Sequence, residues 1–351
     1  MPKRKFDDDG NHKDDDHKDD NDEIIIKRNT RPCIRIENCP KVDNLKDLIE
    51  VGKDGKFYKN INNVMLWDIL PYLIQLDNMI GMNSLKETIF YQIIYYLQNM
   101  HKKNRNEEYL HTIIMGKPGC GKTSIAKILG NIYKNTGILS KDGKFKIGYR
   151  DDFVGEYLGQ TATKTRKFLN SCIGGVLFID EVYSLGPGQK DKDSFSKEAI
   201  DTICSFLSDH KNDFCCIIAG YEKEIKNCFL SVNSGLERRF PWVHVIDEYS
   251  EDNLADILIK LLKETKWTLH NDIEKKHLVN FFKDNKEFFK NFGGDIETFI
   301  TKTKMVHSKR VFCLDKEYKF ILTLEDLMSG LDMVKKFRVK EKESYTPLMY
   351  T

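Results

Sequence analysis

No stretch of this chain reaches the ~20 consecutive apolar residues that a membrane-crossing helix requires. The first residues are charged rather than apolar. Neither a spanning helix nor a secretory leader is expected. Net charge is almost missing as well: 56 Lys and Arg against 54 Asp and Glu leave +2 over 351 residues. No global attraction to nucleic acid or to an anionic membrane follows. Regular cysteine spacing is absent too. The nine cysteines are odd in number and irregularly placed, several of them inside apolar runs where a thiol packs as a small hydrophobe. Cys33 and Cys39 are followed by no second Cys/His pair at zinc spacing. A reducing setting fits, intracellular and cytoplasmic. There is no internal repeat.

What the chain does hold is an apolar fraction of 40%, enough for real cores. Residues 1–23 contribute nothing to them. Ten acids against five bases leave that segment at −5, and it cannot bury enough apolar surface to offset its conformational entropy. It is expected to be a disordered charged tail. Pro2-Lys3-Arg4-Lys5 also has the form of a short nuclear-import signal, but a solvated charge run is the reading taken. Residues 24–75 read as a small accessory region. It holds short strands at 24–26 and 33–36, and an amphipathic helix over 64–76 that Pro71 interrupts.

From about residue 76 helices and short apolar strands alternate. Strands are expected at 111–115, 145–149, 176–179, 214–219 and 243–246, with helices between them. That pattern predicts an open, largely parallel sheet with helices on both faces. After Ser250 the strands give out, and helical spacing follows over 252–266, 272–285, 295–307 and 324–337. Residues 338–351 read as a polar tail.

The sequence Gly116-Lys117-Pro118-Gly119-Cys120-Gly121-Lys122-Thr123 fits G-x-x-x-x-G-K-[ST] at every fixed position, after an apolar strand and before a helix. Glycines let backbone N–H groups turn inward around phosphate oxygens, and the helix start adds unpaired amides and a positive dipole end. Lys122 would reach the β- and γ-phosphates, and Thr123 would offer its hydroxyl to Mg²⁺. Ser124 completes the candidate phosphate-binding set. A glycine-rich turn with a chance lysine would not be expected to meet so many constraints at once.

Asp180 and Glu181 emerge from the apolar run at 176–179. In parallel sheets this strand end is where ligands bind. Asp180 would hold Mg²⁺, and Glu181 would orient and deprotonate an attacking water, so the expected reaction is hydrolysis of the bound nucleotide rather than transfer to an acceptor. An acidic pair after a strand is a common turn. Its place one α/β unit beyond Thr123 is what points to chemistry.

With both motifs placed, residues 76–248 resemble the AAA+ ATPases, and within them the group of the red-type Rubisco activase CbbX and the sporulation protein SpoVK. The resemblance rests on residues 155–162 (GEYLGQTA), 175–185 (GVLFIDEVYSL), 197–202 (KEAIDT), 218–221 (IAGY) and 233–240 (NSGLERRF). It implies a five-stranded parallel sheet sandwiched by helices at 76–248 and a helical lid at 249–337. It also implies ATP and Mg²⁺ as cofactors, and a homo-oligomeric ring, usually a hexamer, that pulls a polypeptide through its pore. By matching position Arg239 is the arginine finger, with Arg238 beside it as the fallback. Tyr157 is the pore-loop aromatic, and Met79-Ile80-Gly81-Met82, with Ile80 and Gly81 central, is the linker beside adenine. Tyr221 stands at the sensor-1 position. No arginine opens the expected sensor-2 helix, where Gly293-Gly294-Asp295 stands, and Lys302, Lys304 or Arg310 would have to substitute.

Three functions compete on these residues. The favoured one is an ATP-driven remodeller of a protein client, with no membrane or nucleic-acid partner. A DNA-acting AAA+ protein would want a basic pore loop or an appended basic helix, and neither is clear. A module that uses ATP only for assembly would not need Glu181 and Arg239.

Overall fold

The computed structural model describes residues 40–344 except 103–108, 138, 141, 158, 187–193 and 212. The expected N-terminal tail and the strands at 24–26 and 33–36 lie outside the described residues.

Five strands form one sheet: β1 (Thr112–Met115), β2 (Phe145–Gly148), β3 (Val176–Ile179), β4 (Cys215–Gly220) and β5 (Trp242–Val245). Their order is β2-β3-β4-β1-β5 and every pairing is parallel. The three inner strands are buried along their whole length, which is why they read as unbroken apolar runs. The edge strands β2 and β5 are only partly buried and read less cleanly.

Alternate side chains leave the sheet on opposite faces. Ile114, Phe178 and Ile217 join one core, while Ile113, Leu177 and Cys216 join the other. On the first face lie α3 (Asn83–Leu97) and α4 (Lys122–Asn135), together with α1 (Leu45–Asp54) and α2 (Asn63–Asp77). The second face is covered by the short α5 (Arg150–Phe153), α6 (Thr161–Asn170) and α7 (Ser194–Asp209). A brief turn, α8 (Glu222–Glu224), follows β4.

The C-terminal helices are α9 (Glu251–Glu264), α10 (Lys275–Asp284), α11 (Gly293–Arg310) and α12 (Leu324–Ser344). Ser250 starts α9 with a capping box, its side chain accepting from Asn253 N–H. Leu254, Leu258, Phe282, Phe299 and Leu327 extend the first core into this region.

Three local expectations are corrected. Helix α2 runs unbroken through Pro71, because Leu66 and Ile69 before it and Leu73 and Leu76 after it are all buried on the same core. Packing there outweighs the lost backbone hydrogen bond. Strands do not end at Ser250: β6 (Thr268–Leu269) and β7 (Ile321–Leu322) pair in parallel and tie α9 to the start of α12. Two-residue strands carry no readable periodicity. Helix α12 also continues to Ser344, beyond Phe337, through residues that are polar except for Val339.

Candidate active site

The phosphate-loop sequence leaves β1 at Met115 and enters α4 at Lys122. Gly121 caps that helix at φ +88°, and Gly119 sits at φ +66°, both in the left-handed region where a side chain is strained. A Cβ on Gly119 would also overlap the Asn291 carbonyl oxygen. Gly119 O accepts a 3.2 Å bond from Gly293 N–H, so the loop rests on the N-terminal end of α11. The segment where a sensor-2 arginine was expected thus meets the loop through backbone. Lys302, Lys304 and Arg310 are engaged elsewhere. Lys302 lies over the Phe337 ring, Lys304 over Trp267, and Arg310 donates twice to Asp326.

Lys122 is half-buried, and its Nζ donates to the carbonyls of Gly116 and Lys117 at 3.0 and 2.9 Å. It also lies 5.0 Å from the centre of the Tyr221 ring. Thr123 Oγ1 donates to Asp180 Oδ2 at 2.8 Å, across 57 residues of chain. The next residue, Glu181, is exposed at φ +47° and opens a tight turn at residues 182–185. Lys122, Thr123, Asp180, Glu181 and Tyr221 therefore gather at the C-terminal ends of β1, β3 and β4. Ser124 is exposed in the first turn of α4.

On the other side of the loop, Met79 and Met82 crowd Gly121. A Cβ there would meet their methyl groups at 3.4 and 3.3 Å. Ile80 and Gly81 are half-buried beside them, and Gly81 faces the Tyr249 ring. Tyr249 O–H donates to Cys120 O at 3.0 Å and packs edge-on against Phe292. Lys117 pairs with Glu248 at 2.5 Å and lies 5.8 Å from the Phe292 ring. Pro118 is half-buried between these neighbours in sequence. Sequence reasoning missed Tyr249, Phe292 and Tyr183, whose places depend on contacts that no local pattern encodes.

Backbone conformation adds a signal of its own. Of five described non-glycine residues at positive φ, Met82, Glu181 and Phe292 all border this site. Such residues cost about 1–3 kcal/mol each and concentrate at functional sites.

Arg239 and Tyr157 stand apart. Arg238 and Arg239 precede β5, and since all strands run parallel they lie at the sheet edge opposite Lys122 and Glu181. Arg239 Nε donates to Ser208 Oγ at 2.6 Å and Nη1 to Gly235 O at 2.5 Å, while Arg238 is exposed. Tyr157 is 67% exposed, between α5 and α6. Arg150, which opens α5, donates to Ser184 O in the turn after Glu181.

Residues 112–240 match the ATPase family associated with various cellular activities (AAA). A cfxQ-like protein of Acanthamoeba polyphaga mimivirus is 39% identical over 307 residues, 86% of this chain and 74% of its own length. The chain is an AAA+ ATPase of the CbbX/SpoVK type. This ATPase also resembles stage V sporulation protein K of Bacillus subtilis, at 37% identity over 58% of this chain and 63% of that protein. Its similarity to the chloroplastic ribulose bisphosphate carboxylase/oxygenase activase of Cyanidioschyzon merolae is 30%, over 63% of this chain and 71% of that one. Among the described residues of the ATPase, no helix is long and apolar enough to cross a membrane.

Proposed function

We propose that this ATPase works as a homo-oligomeric ring, a hexamer, that uses ATP hydrolysis to pull a client polypeptide through its central pore. The observation carrying this reading is the exposed Tyr157 on a loop whose base, through Arg150, is bonded to the turn that follows Glu181. A grip and a hydrolysis site joined through one contact is what a pulling device needs. An aromatic offers large contact area to any extended chain while demanding little of its sequence. The Cyanidioschyzon merolae relative is named for activating an enzyme, and an enzyme is a protein client.

In this reading the backbone amides of residues 116–123 and Lys122 bind the ATP phosphates, and Ile80 and Gly81 lie beside the base. Tyr221 contacts the phosphate end. Thr123 and Asp180 present hard oxygen donors beside each other, a set that suits Mg²⁺. That ion, when bound, neutralises charge on the phosphates. Glu181 takes a proton from the attacking water, and its exposed carboxylate leaves room for that water. Arg239, at the opposite sheet edge from its own loop, serves the site of a neighbouring subunit. Residues 76–248 are assigned as the ATPase domain and 249–337 as the lid, which touches the loop at Gly119.

ATP turnover with added unfolded polypeptide, and separately with single-stranded DNA, tests the proposal. Stimulation by polypeptide and by it alone is expected. Stimulation by DNA alone would replace this reading with a DNA-acting one.

A further inference from the structure

Lys86 lies in the first turn of α3, and its half-buried side chain reaches back to the end of α2. Its Nζ donates to Asp77 O at 2.9 Å and to Met79 O at 2.6 Å. The carbonyl between them, Asn78 O, accepts from Lys260 Nζ on α9 at 3.4 Å. Two lysines from two helices thus hold three successive carbonyls. Carbonyls at a helix C-terminus have no partner inside the helix and form its negative end, so a cation is favourable there. An ammonium taken partly out of water needs acceptors in return, and these carbonyls fill two of its three donors. Directly beyond them come Ile80 and Gly81, both half-buried. Among the described residues no hydrogen bond engages the backbone N–H or C=O of either one. The far flank is fixed again, by Ser84 N–H to Asp247 Oδ2 at 3.0 Å and Lys86 N–H to Met82 O at 2.9 Å. Free backbone groups therefore sit between two anchored ends, and Lys86 holds the nearer one.

We propose that Lys86 is a positioning residue for base selection: by pinning Asp77 O and Met79 O it holds the backbone of Ile80 and Gly81 where it reads adenine and rejects guanine. The proposal rests on the reading that Ile80 and Gly81 lie beside the base. Adenine presents an acceptor ring nitrogen next to an amino donor, and a backbone N–H and C=O complement that pair. Guanine presents the reverse, a ring N–H next to a carbonyl oxygen. A wrong base therefore leaves half-buried backbone groups unpaired, and that is where discrimination comes from. It is only as sharp as those groups are well placed. Lys260 is exposed and its bond is long, so Lys86 carries most of the placement.

Lys86→Met keeps an unbranched apolar stem and removes the donors. The readout is calorimetric titration of the full-length protein with ADP, GDP and inorganic tripolyphosphate, each with Mg²⁺. In Lys86→Met the preference for ADP over GDP should fall about tenfold, through weaker ADP binding. Affinity for tripolyphosphate should not change, because the phosphate loop keeps its own contacts. An unchanged ratio of ADP to GDP affinity would overturn the proposal. Equal losses for all three ligands would also overturn it, because a purely structural role weakens the whole site alike. If Lys86→Met does not fold, Lys86→Gln is the substitute, a shorter side chain with weaker donors. It should lower the preference about threefold, and an unchanged ratio there overturns the proposal too. The parent separates the two readings. Equal affinity of the parent for ADP and GDP removes the reading of the linker and this proposal with it. A parent that discriminates, beside a Lys86→Met that discriminates as well, removes this one alone.

Discussion

Thr123 Oγ1 donates a 2.8 Å hydrogen bond to Asp180 Oδ2, joining the first turn of α4 to the end of β3. The bond places a hydroxyl and a carboxylate where both can face one small hard cation. Thr123→Val keeps the shape and removes the hydroxyl. Turnover should fall about a hundredfold or more, with a higher Mg²⁺ requirement and a melting temperature within a few degrees of the parent. Parental turnover at low Mg²⁺ would show that Thr123 has no part in holding the ion.

Gly119 and Gly137 form a matched pair. Both have positive φ, +66° and +72°, but only Gly119 faces atoms that a Cβ would strike. Gly137→Ala should cost about 1 kcal/mol in thermal or denaturant unfolding, the backbone penalty alone. Gly119→Ala adds the clash with Asn291 and should cost more, by about 1–3 kcal/mol, with loss of nucleotide binding. Equal costs would mean that the contact between loop and α11 yields freely.

Stability should fall as pH drops from about 6.5 to about 4. Burial pushes His111 down to about 4, with the Arg239 charge adding to it, and burial alone pushes His244 down to about 4. A depressed histidine is neutral in the fold and binds a proton in the unfolded chain, so acid favours unfolding through this window. His111 Nδ1 accepts from Cys216 N–H at 3.1 Å and therefore has no place for a second proton. His111→Gln should flatten the pH dependence of the melting temperature, even if it lowers the melting temperature itself. An unchanged slope between pH 6.5 and 4 would contradict this.

Arg239 should act across a subunit boundary. Specific ATPase activity should then rise with protein concentration and level off. Mixing Arg239→Ala with Glu181→Gln subunits should restore part of the turnover, because some boundaries then pair an intact Glu181 with an intact Arg239. Flat specific activity on dilution would place Arg239 within its own subunit or outside the chemistry.

How much could be read in advance depended on whether the signal was local. The apolar run at 176–179 coincides with β3, and the loop motif fell between a strand and a helix as its chemistry requires. Both are properties of contiguous residues. Pro71 misled because its effect on α2 is decided by what Leu66, Ile69 and Leu73 bury against, and that partner lies elsewhere in the chain. Tyr249 and Phe292 reach the site from near α9 and α11, and their spacing from Cys120 exists only in three dimensions. Left-handed backbone at Met82, Glu181 and Phe292 was equally silent, since no residue type there announces it.

Glu181 is the residue on which the proposed hydrolysis turns. Nucleotide binding and ATP turnover should be measured side by side for the parent, Lys122→Ala and Glu181→Gln. Lys122→Ala should lose binding, because the loop loses its mobile cation. Glu181→Gln should bind ATP as the parent does and lose turnover by about a hundredfold or more. Hydrolysis by Glu181→Gln at the parental rate would contradict the account at its centre.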